Sequence, residues 1–248
     1  MVLFDIYSFA IVGLYLWQKL VENDKVLPTK VLKLISVSPS AWQLTLGMTG
    51  NGSRNFKAGD FFFISFPKVK GLSKEAHPFS LTNAPIDSDR QLVFTIRKLG
   101  DFTKKTFFVE SWRYGSCRRT VRPFSSIIDN KKEADLIFIG MGTGIAPLLS
   151  LSRQYQNQRR IKVVWTVKNL NEAYYDQIFE KMKSDSFEYH MQAGRIKAKQ
   201  IDELFSEKEL RSGLFFVVGP AFAIISLENS LKKHSVSKDR LIDERLTM

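Results

Sequence analysis

Apolar and polar positions alternate in short runs along the first half of the chain. Residues 30–40 and 41–50 alternate, and residues 56–67 hold a Gly-Asp turn followed by an apolar run that Pro67 ends. Residues 91–99 are predicted as another strand. A period of two is typical of β-strands with one buried face. Short strands joined by such turns predict a small antiparallel barrel.

From Ala134 onward, apolar strands alternate with amphipathic helices. The predicted strands are residues 134–140, 161–167, 187–193, 213–219 and 240–246, and the predicted helices are residues 145–155, 171–183, 201–210 and 221–234. This repetition predicts a doubly wound parallel sheet covered by helices, so the fold class is β + α/β. We expect a barrel domain over residues 28–128 and the sheet domain over residues 130–248.

The N-terminal residues 1–22 form a separate apolar segment. Asp5 and Lys19 are its only charged residues before Glu22, and Trp17 stands near its end like an interface anchor. The segment is long enough to span a bilayer. Two interpretations are open: the end of a membrane helix, or a buried or interfacial helix.

Composition narrows the classes of partner and cofactor. The formal net charge of +12 fits nucleic acid, an anionic membrane face or a polyanionic small ligand. Nucleic acid is the weakest of these, because no basic run with interleaved aromatic residues is present. The single cysteine, Cys117, excludes a disulfide framework and a cysteine-ligated iron–sulfur cluster. We predict no metal site.

Two loops have the composition of anion sites. The glycine-rich loop GMGTGIAP, residues 140–147, follows a predicted strand and opens a helix, so its backbone amides can approach a pyrophosphate. In GDFTKKTF, residues 100–107, Asp101 can cap a short helix whose first turn holds Thr103 and two lysines. Arg97, at the end of the preceding strand, favours phosphate binding there.

A basic–Pro–Phe–Ser cassette occurs twice in the barrel half. His77-Pro78-Phe79-Ser80 opens the run HPFSLTNAP, and Arg122-Pro123-Phe124-Ser125 follows later. By itself such a cassette fits either a flavin contact or a strand that enters a turn.

The order of HPFSLTNAP, IRKLGDFTKKTF, GMGTGIAPLLS, FFVVGP and a terminal ERLTM resembles the dehydrogenase module of the ferredoxin–NADP reductase superfamily. It resembles most the ferric reductase and NADPH oxidase branch, over about residues 28–248. The resemblance implies FAD on the barrel and NADPH on the second domain. It assigns the flavin motif to the first cassette, so we interpret residues 122–125 as an inter-domain turn and the repeat as coincidental.

The resemblance also implies roles for individual residues. Ser80 is expected to bond flavin N5 during catalysis, Phe79 to pack on the ring and His77 to lie toward the phosphates. The other expected FAD contacts are Pro78, Thr82, Arg97, Gly100, Asp101 and Thr103. The expected NADPH contacts are Gly142, Thr143, Gly144, Lys168 (at the 2′-phosphate), Gly219 and Pro220.

The chain departs from the family pattern at two places. Val218 stands where the family commonly has a cysteine before the glycine, which puts the rate of hydride transfer in doubt. The aromatic residues of the family's C-terminus are missing, and we expect Met248 to take the place of the terminal aromatic over the flavin.

The expected function is therefore an FAD-dependent oxidoreductase that takes a hydride from NADPH. It would pass single electrons to a haem-bearing transmembrane domain or subunit, at the cytoplasmic face of the plasma membrane. The alternative is a soluble flavin or ferredoxin-type reductase with a diffusible acceptor.

Overall fold

The computed structural model describes residues 26–49, 56–67, 74–88, 90–98, 115–120 and 122–246. The apolar segment at residues 1–22 and the short helix expected at Asp101 lie outside the described residues. None of the helices in the described ranges combines the length and hydrophobicity that crossing a bilayer demands.

The first six strands form one antiparallel sheet, called the barrel below. They are β1 (Val26–Ser38), β2 (Ala41–Met48), β3 (Phe61–Ser65), β4 (His77–Ser80), β5 (Gln91–Arg97) and β6 (Gly115–Thr120), in the spatial order β4-β3-β6-β1-β2-β5. Leu81, just after β4, pairs with Phe94 of β5, and the Thr82 amide donates to the Val93 carbonyl oxygen at 2.9 Å. These bonds join the two edge strands and close the sheet, so the predicted antiparallel barrel is confirmed.

Alternation along the strands sends one set of side chains into the barrel. Phe62 and Phe94, from β3 and β5, pack edge to face with ring centroids 5.9 Å apart. Around them lies a core of buried residues: Leu44, Leu46, Phe56, Ile64, Phe66, Leu81, Leu92, Ile96 and Cys117. Burial of this apolar surface is the main stabilising contribution to the barrel.

The second half of the chain forms a five-stranded parallel sheet. Its strands are β7 (Leu136–Met141), β8 (Ile161–Val167), β9 (Phe187–Ala193), β10 (Leu214–Pro220) and β11 (Leu241–Leu246), in the order β11-β10-β7-β8-β9. The chain runs outward from β7 to β9 and then returns to the other side of β7. The order therefore reverses between β7 and β10, the position where open α/β sheets bind ligands.

Helices cover both faces of this sheet, which confirms the predicted doubly wound arrangement. They are α1 (Phe124–Asn130), α2 (Ile145–Tyr155), α3 (Asp176–Met182), α4 (Ile201–Leu204), α5 (Glu207–Ser212) and α6 (Ala221–Lys233). Side chains of α1, α2 and α3 share one core with one face of the sheet, and side chains of α4, α5 and α6 share a second core with the other. The central strands are buried on both faces, which explains their continuous apolar sequences.

Two helix predictions need correction. The helix expected over residues 171–183 begins only at Asp176, after a 3-10 helix at Leu170–Glu172. The helix expected over residues 201–210 is split between α4 and α5. The split occurs because Ser206 starts a new helix: its hydroxyl accepts from the Glu209 amide, and the Glu209 carboxylate accepts from the Ser206 amide.

The second cassette also differs from its prediction. The helix α1 starts at Phe124, directly after Pro123. The ring of Pro123 fixes its backbone in a conformation that suits the start of a helix. Phe124 packs edge-on against Phe216 of β10, with centroids 5.4 Å apart. The prediction of a turn at residues 122–125 is therefore wrong from Phe124 onward.

Candidate active site

A cleft of about 430 Å³ opens between the barrel and the last strand of the parallel sheet. Its barrel wall comes from β3, β4 and the second cassette, and its other wall comes from β11. The lining residues are Phe61, Pro78, Ser80, Arg122, Pro123, Phe124, Ile242, Asp243, Glu244, Arg245 and Leu246. The cleft thus brings both Pro–Phe–Ser cassettes together.

The first cassette presents alternate side chains to this cleft. In β4, Ser80 lies opposite Phe61 and Pro78 lies opposite Phe63 of β3. Pro78 and Ser80 line the cleft, whereas Phe79 packs against the barrel core. This difference follows from strand geometry, because successive side chains point to opposite faces. Phe79 thus lies on the core side, and not on the cleft side where we expected it to meet the ring.

Arg122 connects the walls of the cleft. Its Nη1 donates to the Ser80 hydroxyl oxygen at 3.2 Å and to the Gly59 carbonyl oxygen at 3.3 Å. Its Nη2 forms an ion pair with Glu244 of β11. The guanidinium carbon lies 4.6 Å from the centroid of the Phe61 ring. A single side chain therefore contacts β3, β4 and β11.

Glu244 is a partly buried carboxylate, and one of its oxygens has no hydrogen-bond partner among the described residues. Burial raises the pKa of its carboxyl above the usual value, although the positive charge of Arg122 opposes this shift. One carboxylate oxygen binds Arg122, and within the described part of the chain the other, Oε2, is buried without a hydrogen-bond partner. A buried polar atom without a partner is costly, which indicates that a ligand donor completes it.

Asp60 holds the barrel side of the network in place. Its side chain is fully buried, and its Oδ2 accepts from the Lys57 amide and from Arg119 Nε, each at 2.8 Å. Its Oδ1 accepts from the Arg122 backbone amide at 3.2 Å. The carboxylate therefore fixes the backbone from which the Arg122 side chain extends.

The glycine-rich loop lies at the carboxyl edge of the parallel sheet. Gly142–Gly144 form a 3-10 helix that leads into α2, and the Gly142 carbonyl oxygen accepts from Trp165 Nε1 at 2.9 Å. Gly142 has a φ of 59°, and a Cβ there would meet nothing within 4 Å. Its backbone is thus open to a ligand at the start of a helix, as an anion site requires.

Gly144 and Gly219, which remain predicted nucleotide contacts, also let two backbone segments pack closely. A Cβ on Gly144 would lie 2.2 Å from the Val218 carbonyl oxygen, and a Cβ on Gly219 would lie 2.6 Å from Met141 Cβ. These glycines let the loop after β7 approach β10 closely, at the point where the strand order reverses. They shape the site through the backbone.

A family profile described as an FAD-binding domain matches residues 25–137. Respiratory burst oxidase homolog protein D of Solanum tuberosum is 28% identical over 177 residues, which cover 64% of this chain and 19% of that protein. A superoxide-generating NADPH oxidase heavy chain of Dictyostelium discoideum is 29% identical over 126 residues, which cover 44% of this chain and 18% of that protein. The chain thus spans about a fifth of the length of these relatives.

Among solved structures, a ferredoxin NADP+ reductase from Neisseria gonorrhoeae with bound FAD and NADP superposes with a TM-score of 0.70 at 15% identity. The match covers 89% of this chain and 98% of that one. The fold is therefore that of the ferredoxin–NADP reductases. The FAD-binding profile and the oxidase relatives support the resemblance to the dehydrogenase module of ferric reductases and NADPH oxidases that the sequence predicted.

These matches confirm the predicted enzyme class, an FAD-dependent oxidoreductase, and they support the predicted pair of FAD and NADPH. The residues of the cleft fit a flavin ring. Phe61 and Pro78 give apolar surface, the Ser80 hydroxyl can bond a ring nitrogen, and Glu244 Oε2 needs a donor. A flat heterocycle with donors and acceptors at its edge has this complementary character.

The remaining predicted FAD contacts are spread more widely. Arg97, at the end of β5, is half-buried. Thr82 is buried, and its hydroxyl donates to the Val93 carbonyl oxygen at 2.9 Å, so this group already closes the barrel. Gly100, Asp101 and Thr103 lie outside the described residues, and so does Met248. Leu246, not noticed in the sequence, lines the cleft beside Glu244.

Several predicted nucleotide contacts share the carboxyl edge of the sheet. Lys168 follows β8 and is exposed, Pro220 ends β10, and Thr143 lies in the loop after β7.

Sequence reasoning missed a further cation at the carboxyl edge of the sheet, Arg195. Arg195 follows Gly194 after β9, and its guanidinium carbon lies 4.6 Å from the ring centroid of Phe222, which is half-exposed at the start of α6. Gly194 has a φ of 84°, so the chain turns there. A glycine followed by an arginine directly after a strand is the sequence signal that could have predicted this cation.

The described residues hold no group of His, Cys, Asp and Glu side chains that could bind a metal ion.

Proposed function

We propose that the chain takes a hydride from NADPH to FAD and passes single electrons to a haem-bearing transmembrane domain or subunit. One observation carries the proposal: the flavin motif of the barrel and the last strand of the parallel sheet line the same cleft. In this arrangement a ring bound at Ser80 and a nucleotide bound at the carboxyl edge can meet. Residues 28–128 would serve as the FAD domain and residues 130–248 as the NAD(P)H domain.

The side chains of this site bind and orient, and none needs to act as an acid or base. FAD, when bound, supplies the conversion of a two-electron hydride into single electrons. Ser80 would orient the flavin by its hydroxyl. The glycine-rich loop and the N-terminus of α2 would hold the nucleotide pyrophosphate through backbone amides and the helix dipole. Phe61, Pro78 and Leu246 would keep water from the ring.

NADPH, rather than NADH, is proposed as the preferred donor. Lys168 and Arg195 stand at the edge where the nucleotide would lie, and each can pair with a 2′-phosphate. Arg195 also rests on the Phe222 ring, which holds its guanidinium in place. Two cations after the neighbouring strands β8 and β9 favour the more negative of the two nucleotides.

The haem partner is proposed from the relatives and from the histidine content. The Dictyostelium relative is named for superoxide generation, and this chain matches only about a fifth of it. The chain has three histidines, too few for the two pairs that bind two haems across a membrane. We therefore propose that haems are held by another domain or subunit, with this module at the cytoplasmic face of the plasma membrane.

Reconstitution distinguishes this proposal from a soluble reductase. The FAD-loaded chain is mixed anaerobically with NADPH and with membranes that contain a six-helix haem partner, and the haem spectrum is followed. Reduction of haem that depends on the chain, and not on the FAD-free control, supports the proposal. Rapid reduction of a ferredoxin without reduction of the membrane haem would support the soluble alternative.

A further inference from the structure

Several of the described residues contact Arg122 and hold its side chain in place. It makes hydrogen bonds to Ser80 and Gly59, an ion pair to Glu244 and a contact with the Phe61 ring, while Asp60 binds its backbone amide. Its side chain is only 12% exposed. A guanidinium held in this way has a fixed orientation, so the groups it contacts are oriented with it.

The hydrogen bond between Arg122 and Ser80 determines which way the hydroxyl can act. A guanidinium only donates, so the Ser80 oxygen accepts and uses one of its two lone pairs. Within the described residues, no acceptor receives the hydroxyl proton of Ser80. That proton can therefore be donated into the cleft, where an unprotonated ring nitrogen would accept it.

The same guanidinium orients a second polar group of the cleft, the Glu244 carboxylate. Its Nη2 holds one oxygen of Glu244, and the free oxygen Oε2 is buried at the same wall. The neighbouring Arg245 pairs with other carboxylates: it binds Asp243 at 2.9 Å and lies 4.0 Å from Glu228. Arg122 is thus the cation that holds Glu244.

We propose that Arg122 is a positioning residue for the flavin: it commits the Ser80 hydroxyl to donate toward the bound ring and holds Glu244 across the cleft as its counter-charge. This inference rests on the proposed function, because it takes FAD as the occupant of the cleft. It also gives the second Pro–Phe–Ser cassette a function that the sequence did not suggest.

The competing possibility is that Arg122 fills the space of the flavin and opposes its binding. The two possibilities predict opposite changes in affinity. If Arg122 positions Ser80, Arg122→Ala should weaken FAD binding about tenfold, the effect of one charge-assisted hydrogen bond. If Arg122 competes with the ring, the same change should tighten binding.

The experiment measures FAD affinity by fluorescence quenching and records the visible spectrum of the bound flavin. Arg122→Ala, Ser80→Ala and the double variant form a cycle. We expect each single variant to alter the flavin bands and the affinity. The double variant should lose less than the sum of the two single losses, because part of the effect of Arg122 acts through Ser80 and the rest through Glu244. Arg122→Lys keeps the charge and should restore part of the affinity. Additive losses in the double variant, or tighter binding by Arg122→Ala, would overturn the inference.

Arg119→Ala is the matched control. Arg119 binds the same Asp60 carboxylate but contacts neither Ser80 nor the cleft. It should lower thermal stability while leaving the flavin spectrum unchanged, and an altered spectrum would show that the effect of Arg122 is merely structural. A wild-type chain that binds no FAD would contradict the proposed function itself. A chain that binds FAD equally well with and without Arg122 would overturn only this inference.

Discussion

The hydroxyl of Ser150 donates a 2.6 Å hydrogen bond to the carbonyl oxygen of Asn83. It also accepts from the Gly59 amide at 3.1 Å. Ser150 lies on α2 of the parallel sheet, whereas Asn83 and Gly59 belong to the barrel. One fully buried hydroxyl therefore joins the flavin half to the nucleotide half directly behind the cleft.

Ser150→Ala should destabilise the fold, because it leaves an amide and a carbonyl group buried without partners. The expected loss in the free energy of unfolding is about 2–3 kcal/mol, measured by urea denaturation. Ser152→Ala is the control, since Ser152 is equally buried on the same helix and its hydroxyl has no hydrogen-bond partner among the described residues. Equal losses from the two variants would contradict the role given to Ser150.

Alanine at Gly142 and at Gly144 should have different consequences. Gly142→Ala places a methyl group in the open space before the loop, so it should raise the KM for NADPH. The alanine would also have to adopt a left-handed φ, which should lower the free energy of unfolding by about 1 kcal/mol. Gly144→Ala forces Cβ against the Val218 carbonyl oxygen and should cost considerably more stability.

Gly194→Ala controls for backbone strain in this comparison. Its φ is 84° and a Cβ there also meets open space, so it shares the strain without obstructing the loop. Both variants are compared with NADH as the donor, because NADH lacks the 2′-phosphate that Arg195, next to Gly194, is proposed to bind. Gly142→Ala should still raise the KM, and Gly194→Ala should leave it nearly unchanged. An effect as large as that of Gly142→Ala would mean that strain, and not obstruction of an anion site, explains the result.

Removing a cation from the carboxyl edge should reduce the preference for NADPH. Lys168→Ala and Arg195→Ala should each lower the ratio of kcat/KM for NADPH to that for NADH, by up to about tenfold. Lys183→Ala is the control, because Lys183 precedes β9 and so lies toward the amino edge of the sheet. A wild-type chain that already uses NADH better would show that the assigned preference is wrong.

Cys117 should behave as an inert core residue. Burial raises the pKa of its thiol from 9.0 to about 12, against a weak contact with the Thr29 hydroxyl. The native thiol should therefore resist an aromatic disulfide reagent at pH 8 and react once urea unfolds the chain. Since the folded pKa is raised, the neutral thiol contributes stability below pH 9 that is lost as the pH rises toward 12. Cys117→Ala should remove this part of the pH dependence, and fast labelling of the native thiol would show that the site is open.

The parts of the fold that could be predicted from sequence are those set by local pattern. Period-two alternation marked β1 and β2, and the continuous apolar runs marked β7, β8 and β10. The split between α4 and α5 was missed because the apolar periodicity continues through it, while the Ser206–Glu209 capping box, present in the sequence, interrupts the backbone.

The site was predictable only where one segment carries its own chemistry. The Gly142 loop and the Ser80 cassette could be recognised, because strand, turn and helix signals surround them. The contacts of Arg122 could not, since Ser80 and Glu244 lie 42 and 122 positions away along the chain. Gly144 and Gly219 were predicted as ligand contacts, and only the structure showed that they also permit the close approach of the loop after β7 to β10.

The central claim is that this cleft holds FAD where NADPH can reduce it, and rapid mixing tests that claim most directly. The FAD-loaded chain is mixed with NADPH without oxygen, and the flavin absorbance near 450 nm is followed, with ferricyanide added afterwards. We predict that NADPH bleaches the flavin band, that ferricyanide restores it, and that Ser80→Ala slows the bleaching. A chain whose bound FAD keeps its absorbance in excess NADPH would contradict the account.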